Sequence, residues 1–459
     1  MTDRSFPLPR DLGEGLRLRT ATAADADALA AFNGDTHADE SGQPDAAIAV
    51  WTRDLLTRPH PTFRPDLFTV VEEVSSGRIV SSLNLIPQTW AYGGVEFGVG
   101  RIELVGTHPD FRRRGLVRCQ MEVAHQWSHD LGHLLQGITG IPWYYRQFGY
   151  EMALDLGGSR SVPVTEIPTR PASEPEPYRL RPATPDDIPL LLRADDQDRR
   201  RSLLTSVRDA SWWHYEIAGR SEAADEQNRF WIVERAGAGA GVGFVSVDAV
   251  LRGSSLLIRA CEIEPGATWV AIVPSLLRAL RNIGDSSARE ASAAEDRTAA
   301  AAKTTAGCDR LVFRVGAEHP LYAALPSRMK DARPPFAWYV RVPDLPAFLR
   351  RVAPVLEARL AASPAAGYSG ELRLWFSTSG LRLSFADGHL VDAAPWPEGT
   401  PDEADASFPP LTFLHLLCGH RSLADLEYAF ADCYADADEA RVVLDALFPK
   451  RPSFVLPLG

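Results

Sequence analysis

The chain has 459 residues, of which 45% are hydrophobic and 24% charged, and 60 acidic side chains outnumber 48 basic ones for a formal net charge of -12. That length is too great for one compact core and predicts about three domains, each with enough apolar residues to bury its own interior. A pI near 5.5 argues against a nucleic-acid or anionic-membrane binder and favours cationic ligands, amines among them.

The opening MTDRSFPLPRDLGEG has no apolar signal core, and no run approaches the ~18 apolar residues a membrane helix needs, so a cytoplasmic protein is expected. Cys119, Cys261, Cys308, Cys418 and Cys433 form no CxxC pair, and no histidine cluster stands at ligand spacing. Neither a disulfide frame nor a metal site is expected.

Leu16 to Phe32 reads as a short strand and then a helix opened by Thr22, with Asp25 and Asp27 in its first turns where carboxylates suit the dipole. Phe68 to Leu85 reads as a hairpin turning at Ser75 to Gly77. Arg101 to Thr107 is the next strand, with Ile102 and Leu104 expected on one face and Glu103 and Val105 on the other. His108, Pro109 and Asp110 stop it. Arg112, Arg113, Arg114 and Gly115 follow, and then Val117, Met121, Ala124, Trp127 and Leu131 recur at helical spacing. A strand, a basic glycine turn and a helix in that order make an anion site: the helix start offers free N–H groups, glycine admits a phosphate to the backbone, and guanidinium forks match its oxygens. Leu134 to Thr139 is expected as the neighbouring strand.

Val162 to Pro177, rich in Pro, Glu and Thr, reads as a linker. Beyond it Arg17, Leu18, Arg19, Ala21, Thr22, Asp25 and Leu29 recur as Arg179, Leu180, Arg181, Ala183, Thr184, Asp187 and Leu191, always 162 positions on, which predicts a repeated domain. A second hairpin is expected over Phe230 to Val250, but Arg259 to Gly266 leads to no basic turn, so the second copy lacks the phosphate grip. Gly284 to Gly307 has almost no large apolar side chain and is expected to be disordered or a fraying helix. From Trp338 the pattern changes. Asp344 should cap a helix that buries Phe348, Leu349, Val352, Leu356 and Leu360. Strands are expected at Glu371 to Ser377 and Leu381 to Ala386, then helices at Leu411 to Cys418, Ser422 to Phe430 and Asp438 to Leu447. His389, His415 and His420 fall singly here and read as packed or surface histidines.

The stretch Arg112 to Val117, RRRGLV, resembles the acetyl-CoA signature of the GNAT acetyltransferases, Arg/Gln-x-x-Gly-x-Gly/Ala after a strand. Val117 departs from the small residue of the general pattern and suits one branch, the Eis-like N-acetyltransferases. Tyr145 to Tyr150, YRQFGY, resembles that branch's Tyr-x-x-Phe-Gly-Tyr segment. The resemblance implies an α/β (α+β) chain with two tandem GNAT-like mixed-sheet domains, an active one at 1–162 and a degenerate one at 178–337, followed by a sterol-carrier-like α+β domain at 338–459.

It also implies an N-acetyltransferase that moves the acetyl group of acetyl-CoA to a primary amine of a small molecule or a lysine side chain, without a metal. Acetyl-CoA would lie along Val105, Gly106 and Thr107 and rest its pyrophosphate on Arg113, Arg114, Gly115, Leu116, Val117 and Arg118. Tyr145 would be the general acid, a phenol that stays protonated at neutral pH. The base would be the terminal carboxylate of Gly459, with Glu103 on the cofactor strand as the alternative. Hexamers occur in the family, so a homo-oligomer is implied, with no nucleic-acid or membrane partner. Two rival readings stay open: a carrier that uses the last domain for an apolar ligand, and an acyl-CoA hydrolase.

Overall fold

A computed structural model describes residues 7–38, 42–221, 228–237, 239–295, 307–316, 318–325, 330–334 and 336–456. The first part runs β1 (Arg10–Gly13), β2 (Leu16–Thr20), α1 (Ala26–Thr36), α2 (Ala46–Thr57), β3 (Phe68–Glu73), β4 (Arg78–Tyr92), β5 (Val95–Thr107), α3 (Leu116–Asp130), β6 (Leu135–Ile138), β7 (Glu151–Leu156) and β8 (Ser159–Pro163). The second runs β9 (Tyr178–Pro182), α4 (Ile188–Arg201), β10 (Leu204–Ser206), α5 (Ala210–His214), β11 (Asn228–Arg235), β12 (Gly241–Asp248), β13 (Ser255–Ile263), α6 (Trp269–Glu295), β14 (Arg310–Phe313), α7 (Leu321–Ala324), β15 (Lys330–Arg333) and β16 (Phe336–Arg341).

The repeat is physical as well as textual. In the first copy Arg17 and Arg19 both pair with Glu72, and Arg19 also holds Asp25, whose carboxylate closes a capping box on Thr22. In the second, Arg179 and Arg181 pair with Glu234, Arg181 holds Asp187, and Asp187 boxes Thr184. Each box satisfies donors at a helix start that water would otherwise have to meet.

The two sheets trade strands. The first has the order β1-β2-β3-β4-β5-β6-β16-β7, with β10 added beside the far end of β4. The second has the order β15-β8-β14-β13-β12-β11-β9. Thus β16, from the end of the second copy, lies between β6 and β7, while β8, from the end of the first, lies between β14 and β15. Val162, the start of the expected linker, is therefore a fully buried strand residue of the second sheet. β16 seals Trp338 against Trp90, ring centroids 5.7 Å apart, and Tyr339 against Tyr145 on the opposite face.

The alternation expected along β5 fails at one point. Between the pairs Ser82↔Gly106 and Asn84↔Glu103 two residues of β5 face one of β4, and Leu104 takes a left-handed φ of 52°. This bulge sends Ile102 into the cluster under α3 and Leu104 into the one under α1 and α2, so the two do not share a face. The helix α6 continues to Glu295, so the first half of the Gly284–Gly307 stretch is helical rather than disordered, in keeping with its alanines; residues 296–306 of that expectation lie outside the described residues.

The remainder is α8 (Leu345–Ala361), β17 (Gly370–Trp375), β18 (Gly380–Ala386), β19 (His389–Pro395), β20 (Ala406–Ser407), α9 (Phe413–Leu417), α10 (Leu423–Ala429), β21 (Tyr434–Ala435) and α11 (Asp438–Leu447). Its sheet has the order β19-β18-β17-β20-β21. Asp344 caps α8 by accepting from the Ala347 N–H at 2.9 Å, and Phe348, Leu349, Val352, Leu356 and Leu360 are all buried. That face joins Trp90, Tyr92 and Phe97 of the first sheet in one continuous core, so the last part is packed onto the first rather than tethered to it.

The chain end closes the arrangement. The Leu203 N–H donates to the Pro452 carbonyl, the Phe454 N–H to the Leu204 carbonyl, and the Trp338 Nε1–H to the Val455 carbonyl at 3.2 Å. Val455 and Leu456 are buried.

Candidate active site

The cleft follows from the parting of two parallel strands. β5 and β6 pair only from Val99↔Leu135 to Arg101↔Gly137, and beyond that the bulged end of β5 bends away. The opening is about 610 Å³ and is lined on the strand side by Val105, Gly106 and Thr107, at the helix start by Arg112, Arg113, Gly115, Leu116, Val117 and Arg118, and on the far side by Ile141, Tyr144, Tyr145 and Gln147. Leu116 opens α3 directly after Gly115, whose φ of 74° is left-handed and favours glycine. At Gly106 the reason is space: a Cβ would stand 2.9 Å from the Thr36 hydroxyl.

The arginines do not all point one way. Arg113 and Arg118 line the cleft, Arg118 donating to the Gln147 side chain at 3.1 Å and lying over the Phe148 ring. Arg112 lines it too, with its Nε–H directed at the Thr107 carbonyl 3.3 Å away. Arg114 is not among the lining residues. Its guanidinium pairs with Glu14 at 3.2 Å and covers the Phe111 ring, so among the residues expected at the pyrophosphate it is the one held elsewhere. Nothing in the RRRG run marks which arginine turns away; the choice depends on Glu14, a hundred residues earlier.

Tyr145 sits in a 3-10 turn, Tyr144–Phe148, between β6 and β7, and is 4% exposed. Its ring meets Tyr144 at 5.0 Å, Tyr339 at 5.4 Å and Tyr150 at 6.4 Å, all tilted or edge-on. The other two inner phenols are committed, Tyr150 to the His125 Nε2 at 2.8 Å and Tyr339 as donor to the Ile141 carbonyl at 2.9 Å. The Tyr145 hydroxyl has no hydrogen-bond partner among the described residues. Burial, and secondarily the charge of Glu103, pushes its pKa well above the usual phenol value, so it holds its proton at any working pH. Glu103 is therefore within electrostatic reach, and it is braced by Arg101 at 2.7 Å. Gly459 lies outside the described residues.

Sequence reasoning missed Thr36 and Ile141, both lining residues. It also read His415 and His420 as isolated, whereas their Nδ1 atoms lie 3.0 Å apart; His420 reaches Asp155 at 3.1 Å, and His415 approaches Glu151, which holds Arg146 of the Tyr144–Phe148 turn. The five-residue spacing of the two histidines could have suggested a pair, but both carboxylate partners lie on β7 of the first sheet, Asp155 being 265 residues before His420 in the chain. Among the described residues, no group of three or more His, Cys, Asp or Glu is placed to hold a metal, and no helix is long and apolar enough to cross a membrane.

Residues 17–153 match the family model for the acetyltransferase (GNAT) domain. No curated protein matches the chain. Among solved structures it is similar to the GCN5-related N-acetyltransferase from Kribbella flavida, at 17% identity and a TM-score of 0.64 over 97% of this chain and 98% of that one. It is also similar to the GCN5-related N-acetyltransferase from Anabaena variabilis, at 15% identity and 0.63 over 96% and 99%. A third is Eis1 from Mycobacterium abscessus, at 14% and 0.58 over 97% and 100%. At such identities the likeness to these structures is one of mixed α/β fold. The family match places an acetyltransferase domain around the cleft, and the protein is an acetyltransferase.

Proposed function

We propose that the protein moves the acetyl group of acetyl-CoA to a primary amine, on a small molecule or a lysine side chain, at the cleft between β5 and β6. The observation that carries this reading is the unpartnered Tyr145 hydroxyl in the same cleft as Arg113, Arg118 and the Gly115 helix start. A basic phosphate grip at one end and a protonated donor within the same opening match what thioester aminolysis asks of a protein. Acetyl-CoA supplies an acetyl thioester. The residues fit it: Val105 to Thr107 offer an open strand edge, Gly106 leaves the backbone bare, and the guanidinium groups face the cleft.

The chain's own part in the reaction is proton traffic and placement. An ammonium substrate must lose a proton before its nitrogen can form the new C–N bond, and that proton passes to a carboxylate, either Glu103 or the terminus at Gly459. As the C–S bond breaks, Tyr145 gives its proton to the departing sulfur and later recovers one from water. A backbone N–H near the bulge, between Val105 and Thr107, is the donor for the developing oxyanion.

The second copy is read as silent. β13 parts from β14 after Ile258 as β5 parts from β6 after Arg101, but there Glu262 and His319, 3.1 Å apart and both buried, bridge the diverging ends, with Arg201 paired to the same Glu262. We therefore take 1–162 as the working domain, 178–337 as a degenerate copy, and 338–459 as a sterol-carrier-like part packed on both, in a homo-oligomer; β16, which completes the first sheet, spans the junction of the last two. Titration calorimetry with acetyl-CoA should find one site per chain, and CoA thiol should be released only when an amine from a panel of polyamines, aminoglycosides, lysine peptides and arylamines is added. Absence of binding would leave the carrier reading in its place; thiol release without any amine would leave hydrolysis.

A further inference from the structure

Where the chain crosses from one sheet to the other lies a second cavity, of about 280 Å³, which shares no lining residue with the cleft between β5 and β6. One wall is hydrocarbon, built from Leu156 at the end of β7, Phe336 at the start of β16, and Phe454, Val455 and Leu456 of the docked chain end. Phe336 is 45% exposed and presents its ring to this space. The other wall is cationic, with Arg259, Arg314 and Arg333.

Charge in this wall is not balanced from within. Asp248 accepts two hydrogen bonds from Arg259, and Arg252 approaches it at 3.7 Å. Among the described residues the Arg314 guanidinium has neither a hydrogen-bond nor an ion-pair partner. Burial, followed by the neighbouring charge of Arg259, holds it below the ordinary arginine value; Asp248 opposes that shift, and Arg333 and Arg252 add to it. Guanidinium groups turned on a shared space, with one carboxylate already engaged, are suited to the paired oxygens of an anion. A cavity of this size with an apolar face has room for a small ligand only.

We propose that this cavity is a binding site for an amphipathic organic anion, a medium-chain carboxylate whose head group is held by Arg314 and Arg333 and whose hydrocarbon body lies against Phe336, Phe454 and Leu456. Because the cavity is walled by β7, β16 and the docked chain end, its occupant ties together the segments that join the two sheets. The ligand is thus a structural effector of the exchanged strands and stands apart from the acetyl-transfer cleft.

Octanoate is the probe, titrated calorimetrically into the full chain. Saturable binding is expected, weakened at least tenfold in Arg314→Ala/Arg333→Ala while acetyl-CoA affinity stays unchanged, and octylamine, with the same tail and the opposite charge, should not bind. The proposal is overturned by the absence of saturable octanoate binding, by equal binding of octylamine, or by indifference to the double substitution. It is likewise overturned if trimming residues 457–459 tightens octanoate binding tenfold, since the cavity would then serve the chain's own end.

Discussion

Tyr339 stands edge-on to Tyr145, ring centroids 5.4 Å apart, and its hydroxyl donates to the Ile141 carbonyl at 2.9 Å. The strand β16, at the junction of the second copy and the last part, therefore fixes both the ring of the proposed acid and the loop that leads to it. The working cleft is incomplete without the far part of the chain. Tyr339→Ala should consequently lower turnover while leaving the phosphate grip intact, so kcat falls and acetyl-CoA affinity changes little. Equal loss of both would mean that β16 supports the whole first sheet rather than the acid alone.

Tyr145→Phe removes one hydroxyl and keeps the packing against Tyr144, Tyr150 and Tyr339. General acid catalysis predicts a fall in kcat of roughly 10²–10⁴-fold, with acetyl-CoA affinity and melting temperature close to those of the parent. A variant that keeps its turnover would move the role to Tyr144, which also lines the cleft.

The arginines give an internal control. Arg113→Ala/Arg118→Ala removes two charged hydrogen-bonding groups worth about 1.5–3 kcal/mol each, so acetyl-CoA should bind roughly a hundredfold or more weakly. Arg114→Ala removes an exposed ion pair with Glu14, worth about 0–1 kcal/mol, and should leave acetyl-CoA binding nearly unchanged. Calorimetry on the two variants separates these outcomes, and equal effects would refute the assignment of Arg114 to Glu14.

The base is decided by two variants that disturb different atoms. A short extension after Gly459 displaces the terminal carboxylate and leaves every side chain in place; Glu103→Gln removes one charge braced by Arg101. If the terminus is the base, the extended protein loses turnover at unchanged acetyl-CoA affinity and Glu103→Gln keeps it. The reverse pattern assigns the base to Glu103.

Acid should unfold the protein early. Burial, the largest cause in each case, holds His60 and His133 at about 4 and His125 and His415 at about 3. These rings stay neutral in the folded chain and take up protons on unfolding, so the unfolded state binds more protons between about pH 6.5 and those values. Stability is full above that window and declines as pH falls through it. Urea unfolding at successive pH values should show a shallower decline for His125→Gln, because one of the four proton-binding sites is gone. An unchanged slope would mean that His125 titrates alike in both states.

What the sequence determined by itself was everything set by local periodicity or by a short run. The face Phe348, Leu349, Val352, Leu356 and Leu360 is fixed by helical spacing after a capping Asp344. The repeated Arg, Thr and Asp positions mark two copies because each builds the same local network. The basic turn ending in Gly115 is legible because a strand, a glycine turn and a helix occur in order, whereas Val105 to Thr107 and Tyr145 were singled out only by resemblance to the GNAT and Eis-like segments. Only the tertiary structure decided the rest. The bulge that turns Leu104 away from Ile102 exists through its pairing with β4, and strict alternation has no means of counting two residues against one. Arg114 is turned by Glu14, Thr36 at the end of α1 faces Gly106 of β5, and His415 meets Glu151 across a domain-sized gap in sequence. The exchange of β8 and β16 is the largest such decision. Either strand could hydrogen-bond in its own copy as well as in the other, and a strand's own residues carry no record of which neighbour buries its two faces best.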